Sequence, residues 1–423
     1  MSSLGTLRRI AGEWFLPALA YGEYRTLWLA TFSGAAAAWG LIVARGWVVF
    51  TLSGSSTWVG ITTFAAMIPL LIVPPIAGLL ADRVDRRTLL ATAFAVNLVH
   101  NLVLAGLALT GSLQVWHLVL LALVNGSARS TQMLTTQTLV PNLVPRPLLL
   151  NAIALNSAAQ HGSKLVGPGL VAGLLGVAGP GGVFLLCTAF YALGLLLVLR
   201  LRTESTGSVQ ASEGTLGTLW AGLAYVYHQP LVLALVLLVA AHCALTMSFE
   251  ALLPVLSRVQ FQAGGAGFGS LMMAVGAGAL TGSVALAGVQ RGRTRGVLLL
   301  IAGIASGITP LALAASPSLP VGLVAAAGMG ASQAGFMALA AAMVQALVPD
   351  AIRGRVSSIY FFHAGGVMAF ASLLNGAVAD LVSAPPVLTV TGLVFVSVMA
   401  ASFLSLPLRR TYARGLPALA AAS

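Results

Sequence analysis

The sequence predicts an all-α integral membrane protein of about twelve transmembrane helices in two six-helix halves, with both termini cytoplasmic. Three observations carry this. Hydrophobic residues make up 58% of the 423 residues and charged residues only 7%, with a mean hydropathy of +0.98. A soluble chain of that composition could not cover its surface with polar groups. Apolar runs of bilayer-spanning length recur about twelve times along the chain. The basic residues gather in alternate gaps between those runs.

Residues 1–27 read as a cytoplasmic or interfacial segment. Arg8 and Arg9 precede IAGEWFLPALA, which imitates a signal peptide, but Glu13 interrupts its short apolar core. Trp14, Phe15 and Tyr21 suit the headgroup layer, so retention is expected. The first half, 28–201, holds runs beginning near Trp28, Trp58, Leu89, Leu113, Leu148 and Val183. An extended polar stretch follows and predicts a cytoplasmic linker over 202–229. The second half, 230–408, holds runs beginning near Leu231, Gly267, Val297, Leu319, Val356 and Val387, and 409–423 is a cytoplasmic tail. The runs are continuous, which disfavours the alternating segments of a β-barrel.

The net charge is +12, and Lys164 is the only lysine. With the N-terminus inside, the inner side holds Arg8, Arg9, Arg25, Arg83, Arg86, Arg87, Arg146, Arg200, Arg202, Arg291, Arg293, Arg295, Arg353, Arg355, Arg409, Arg410 and Arg414. The outer loops hold only Arg258. This bias sets topology and excludes nucleic acid as the partner. Cys187 and Cys243 lie in apolar runs and read as inert. An internal repeat pairs TLVPNLVPRPLLLNAI with ALVPDAIRGRVSSIYF, with Leu139 and Leu347 opening matched triplets 208 residues apart. Both copies fall at an inner loop, so the halves share one orientation, a known transporter design.

The loop after the second span reads GLLADRVDRR, Gly78 to Arg87. It resembles the loop motif of the major facilitator superfamily, Gly-x-Leu-Ala-Asp-Arg-x-Gly-Arg-Lys/Arg, with Asp85 in place of the usual glycine. LVPRPLLLNAIALNSAAQHGSKLVGPGLVAGLL, ALLPVL and LVPDAIRGRVSSIY resemble the exporter branch that contains the enterobactin exporter and macrolide-efflux proteins. The resemblance covers nearly the whole chain. It implies a secondary transporter working by alternating access. It also implies that Gly78, Asp82, Arg83, Arg86 and Arg87 lock one closed state by contacting the other half across the cytoplasmic face. The competing reading is charge that only sets topology.

Polar stripes interrupt the apolar helices. On the fifth, Asn156, Gln160 and Lys164 fall at i, i+4 and i+8 and share a face. On the fourth, Asn125, Arg129, Gln132 and Thr136 form another stripe, and RSTQ partly echoes the superfamily's Arg-x-x-Gln element. A mid-membrane charge costs roughly 2.5–3.5 kcal/mol, which points to a water-accessible substrate cavity. The alternative is interhelical hydrogen bonding. Arg45, in the first span near its outer end, is either a third cavity cation or a snorkelling one. GSKLVGPGLVAG resembles the glycine-proline element of superfamily antiporters. There Gly162, Gly167, Gly169 and Gly173 permit close helix contact and Pro168 bends the helix.

Acidic groups inside the bilayer are scarce. Glu250 is the candidate for proton coupling and His242 the second, with Thr246 between them at helical spacing on the seventh helix. A salt bridge from Glu250 to Arg45 or Arg258 is the rival. His100, His161 and His363 read as hydrogen-bonding residues, and neither a metal nor a cofactor is expected.

The expected function is therefore proton-coupled efflux of a small amphiphile, anionic and siderophore-like or drug-like, by a monomer in a bacterial-type cytoplasmic membrane. A lipid, lysolipid or metabolite transporter of the same fold is the alternative, and a non-transporting receptor a further one. An enzyme is not expected, because no nucleophile, base and orienting residue cluster in the sequence.

Overall fold

The computed structural model describes residues 17–73, 84–203, 223–287, 292–349 and 352–415. Helices follow one another there as the apolar runs predict. α1 is Gly22–Ser53, α2 Ser56–Met67, α3 Arg86–Leu109 and α4 Val115–Leu143. Leu149–Leu199 is a single stretch broken at Gly179, which separates α5 (149–178) from α6 (180–199). α7 is Pro230–Leu245, α8 Gly264–Ala287, α9 Gly292–Ala314 and α10 Leu319–Leu347. α11 is Arg353–Val382, α12 Ala384–Ala401, and a short polar helix, α13, covers Leu406–Arg414. Helices suit this chain because lipid offers no partners to backbone amides, so each span must satisfy its own.

The chain divides into two compact units. One is the described part of Met1–Ala44 and Ile72–Gln210, the other that of Arg45–Leu71 and Ala211–Ser423. In the first, the start of α1 is fastened to α5. The Tyr24 hydroxyl donates to the Ala152 carbonyl at 2.8 Å, and the Trp28 indole to the Leu155 carbonyl at 2.8 Å. Further along, Gly167 lies so close to α1 that a Cβ would overlap the Ala36 carbonyl. Small residues permit such backbone approach where lipid gives no hydrophobic drive to associate. In the second unit, α8 and α10 meet the same way, with Gly278 against the Ala327 carbonyl and Gly330 against that of Val275.

The repeat is present, but its register differs from the sequence expectation. α4 and α10 end on Val144 and Val348, each in extended backbone before a proline and 204 residues apart. The matching triplets are thus Leu143-Val144-Pro145 and Leu347-Val348-Pro349, while Pro141 lies inside α4. A second pair confirms 204. Gly179 turns α5 into α6 with φ 63° and ψ −170°, and Ser383 turns α11 into α12 with φ 72° and ψ 168°.

The seventh span also departs from expectation. α7 ends at Leu245, and turns occupy 246–252 before the short helix Leu253–Val255 and a π turn over Leu256–Gln260. His242, Thr246 and Glu250 therefore do not form one helical stripe.

Candidate functional site

The first unit brings two predicted cations to one aromatic ring. Arg129 of α4 places its guanidinium carbon 5.3 Å from the Trp39 ring centroid, and Lys164 of α5 its ammonium nitrogen at 4.4 Å. Both distances fit a cation held by the ring quadrupole, about 0.5–2 kcal/mol each. The Trp39 indole nitrogen is enclosed with no hydrogen-bond partner among the described residues. All three side chains are half-buried. The described carboxylates of this unit are Glu23 and Asp85, both at helix ends. Glu23 accepts from the Arg202 amide at 3.0 Å, and Asp85 caps α3 through the Thr88 amide at 3.3 Å. The site thus joins α1, α4 and α5 through two cations that share one aromatic ring.

The other stripe residues divide. Asn156 and Gln160 are half-buried, like Lys164 on the same face of α5. Asn125 is buried and donates to the Asn97 side chain of α3 at 2.8 Å. Gln132 is buried where α1 passes at Gly34. These two amides join helices. Arg45 is 5% exposed and groups with the second unit. Six residues beyond Trp39, it falls about 120° around α1 from that ring.

A sequence profile of transmembrane secretion effectors matches residues 15–419. The chain belongs to this family of the major facilitator superfamily. The multidrug efflux pump Tap of Mycolicibacterium fortuitum is 25% identical over 348 residues, covering 80% of this chain and 85% of that protein. Tap of Mycobacterium tuberculosis (strain ATCC 25618 / H37Rv) is 26% identical over 365 residues, covering 83% and 85%. Among solved structures, the nucleoside transporter NupG aligns with TM-score 0.72 at 14% identity, over 90% of this chain and 99% of that one. The D-xylose-proton symporter aligns with TM-score 0.70 at 16% identity, over 90% and 97%. The fold of this secretion effector is the twelve-helix, two-half major facilitator fold, and the chain is a multi-pass membrane transporter, not an enzyme.

Of the loop motif of the secretion effector, Gly78, Asp82 and Arg83 lie outside the described residues. Arg86 donates to the Thr138 carbonyl of α4 at 3.2 Å, and Arg87 to the Leu199 carbonyl ending α6 at 2.8 Å. At the end of α6, Arg87 satisfies a free carbonyl and the helix dipole together, while Arg86 reaches a carbonyl inside α4. In the glycine-proline element, Gly167 makes the close approach to α1. Gly162 has only the Phe32 ring, 3.6 Å from an added Cβ, while Gly173 faces open space. Pro168 lies inside α5, as does Gly169.

In the second unit of the secretion effector, His242 is 0% exposed. One ring nitrogen is 2.7 Å from the Ser306 hydroxyl, and the ring stacks on Phe336 at 4.4 Å between centroids. Phe395 meets it edge-on at 5.1 Å. That is a core histidine joining α7, α9, α10 and α12. Glu250 is half-buried in the turns after α7. Trp39 escaped the sequence reading. Its one signal is a tryptophan at mid-span, where indoles are scarcer than at interfaces.

Proposed function

We propose that this chain exports a small anionic amphiphile by alternating access, with protons as the coupling ion and the cytoplasmic membrane as its location. The observation that carries the cargo class is the convergence of Arg129 and Lys164 on Trp39. A cargo anion would pair with both cations, and its apolar body would lie against the indole. Asn156 and Gln160 extend the same face with amides. Arg45 contributes to the path through the second unit, and Glu250 carries the proton. Gly78, Asp82, Arg83, Arg86 and Arg87 act as a cytoplasmic-face lock. The multidrug efflux pumps among its relatives support outward transport and favour a drug-like member of the anionic class.

The test is ligand-induced thermal stabilisation of the purified chain and of Lys164→Met across anionic, neutral and cationic amphiphiles. Ligands that bind the native state raise its apparent stability. Anionic compounds are expected to stabilise the parent and lose most of that effect in Lys164→Met. An equal response in the variant removes Lys164 from the cargo site and the anionic class with it.

A further inference from the structure

Helix α2 starts against a carboxylate from far along the chain. Asp380, in the last turn of α11, accepts the Ser56 amide at 2.6 Å and the Thr57 amide at 3.0 Å. It also accepts the hydroxyls of Ser55 at 2.5 Å and Thr57 at 2.6 Å. The carboxylate thus serves as the N-terminal cap of α2, satisfying amides that have no partner inside their own helix. The contact continues inward. A Cβ on Gly376 would overlap the Ser56 carbonyl, and one on Gly60 would press on the Ser372 carbonyl. Phe64 meets Phe370 edge-on at 5.1 Å between centroids, and Leu71 lies 3.4 Å from where a Gly366 Cβ would be. The two helices therefore run antiparallel and in contact, all within the second compact unit.

The sequence adds a second, independent feature. α11 closes on Gly376-Ala377-Val378-Ala379-Asp380, and the stretch after α2 reads Gly78-Leu79-Leu80-Ala81-Asp82. The same Gly-x-x-Ala-Asp pattern thus occurs twice, once in the last turns of α11 and once in the sequence that comes after α2. The superfamily resemblance gives the Asp82 copy a locking role at one membrane face.

We propose that Asp380, with Gly376 beneath it, is the latch for the opposite, outer face. It is closed in this structure and must release each time that face opens. The inference rests on the alternating-access reading above. α2 is the second helix of the first half and α11 the fifth of the second, so parting the halves at that end breaks all four hydrogen bonds together. The carboxylate binds only when the two backbones touch, and Gly376 lets them touch.

The probe is a cysteine at Ser56, which is 1% exposed beneath the latch. Full-length Ser56→Cys chain in sealed vesicles would be labelled from the outer side with a membrane-impermeant maleimide, alone and with Asp380→Asn or Gly376→Ala. Native Cys187, buried in the first unit, reports unfolding. Both variants are expected to raise labelling of position 56 by about three- to thirty-fold, the range for loss of one helix cap, and to leave Cys187 protected. Unchanged labelling at position 56, or a rise shared by Cys187, overturns the latch. A rise confined to position 56 in a chain that moves no cargo keeps the latch and removes the transporter reading. Retained transport with unchanged labelling does the reverse.

Discussion

Ser383 holds a backbone conformation that suits glycine, with φ 72° and ψ 168°, while the equivalent turn in the first half uses Gly179. A side chain there costs about 1–3 kcal/mol. Ser383→Gly is therefore expected to raise thermal stability, by about 1 kcal/mol after the added freedom of the unfolded glycine is discounted. Gly179→Ala is expected to lower it by a similar amount, both read from detergent melting curves. At this scale the sequence was legible where a residue is out of place. A lone lysine in an apolar run announced Lys164. It was less legible where the type is ordinary and the neighbour decides. Helical spacing put Asn125 and Arg129 on one stripe, yet Asn125 turns to Asn97 of α3 while Arg129 meets Trp39 of α1. Periodicity says which residues share a face and is silent on what that face meets.

At the scale of elements, the informative one is α7, because it stops early. Ending at Leu245 leaves carbonyls with no helical donor, and in lipid each must find one. The Gln333 side-chain amide of α10 donates to the Thr246 carbonyl at 2.6 Å, and that of Asn375 of α11 to the Ser248 carbonyl at 3.0 Å. Ser248 donates in turn to the Cys243 carbonyl at 2.7 Å. Gln333→Leu is expected to destabilise the chain by about 1–2 kcal/mol, since it removes a hydrogen bond and strands its acceptor. A melting curve that matches the parent's would show that water or another donor takes over. Nothing local announced this break, because the next proline is Pro254 and the polar residues before it kept a helical period. The Leu-Val-Pro repeat failed in register for a similar reason. The triplet occurs twice within seven residues, and only the capping geometry distinguishes Pro145, which ends α4, from Pro141, which α4 absorbs.

At the scale of the whole molecule, span order and the two-half fold were legible, because run length and internal repetition follow directly from bilayer thickness. The chemistry of the halves was harder to read because duplication keeps backbone positions and lets side chains diverge. With the 204-residue register, Arg129 corresponds to Gln333. One half has a cation at the position where the other has an amide bound to the broken helix. The proposed coupling at Glu250 has its own test. Glu250→Gln is expected to abolish flux driven by a pH gradient in proteoliposomes and to leave downhill exchange intact. Gradient-driven flux retained by the variant rules Glu250 out.

The pairing of Arg129 and Lys164 over Trp39 has an electrical side as well. Membrane voltage does about 2.3 kcal/mol of work on each elementary charge per 100 mV. If an anion leaves while a proton comes in, both movements carry positive current inward, down the potential of an inside-negative cell. Two charges at 100 mV amount to roughly 4.6 kcal/mol, more than a thousandfold in cargo concentration. Such a cycle would run on voltage alone, and turnover would register as a current in vesicles with equal pH on both sides.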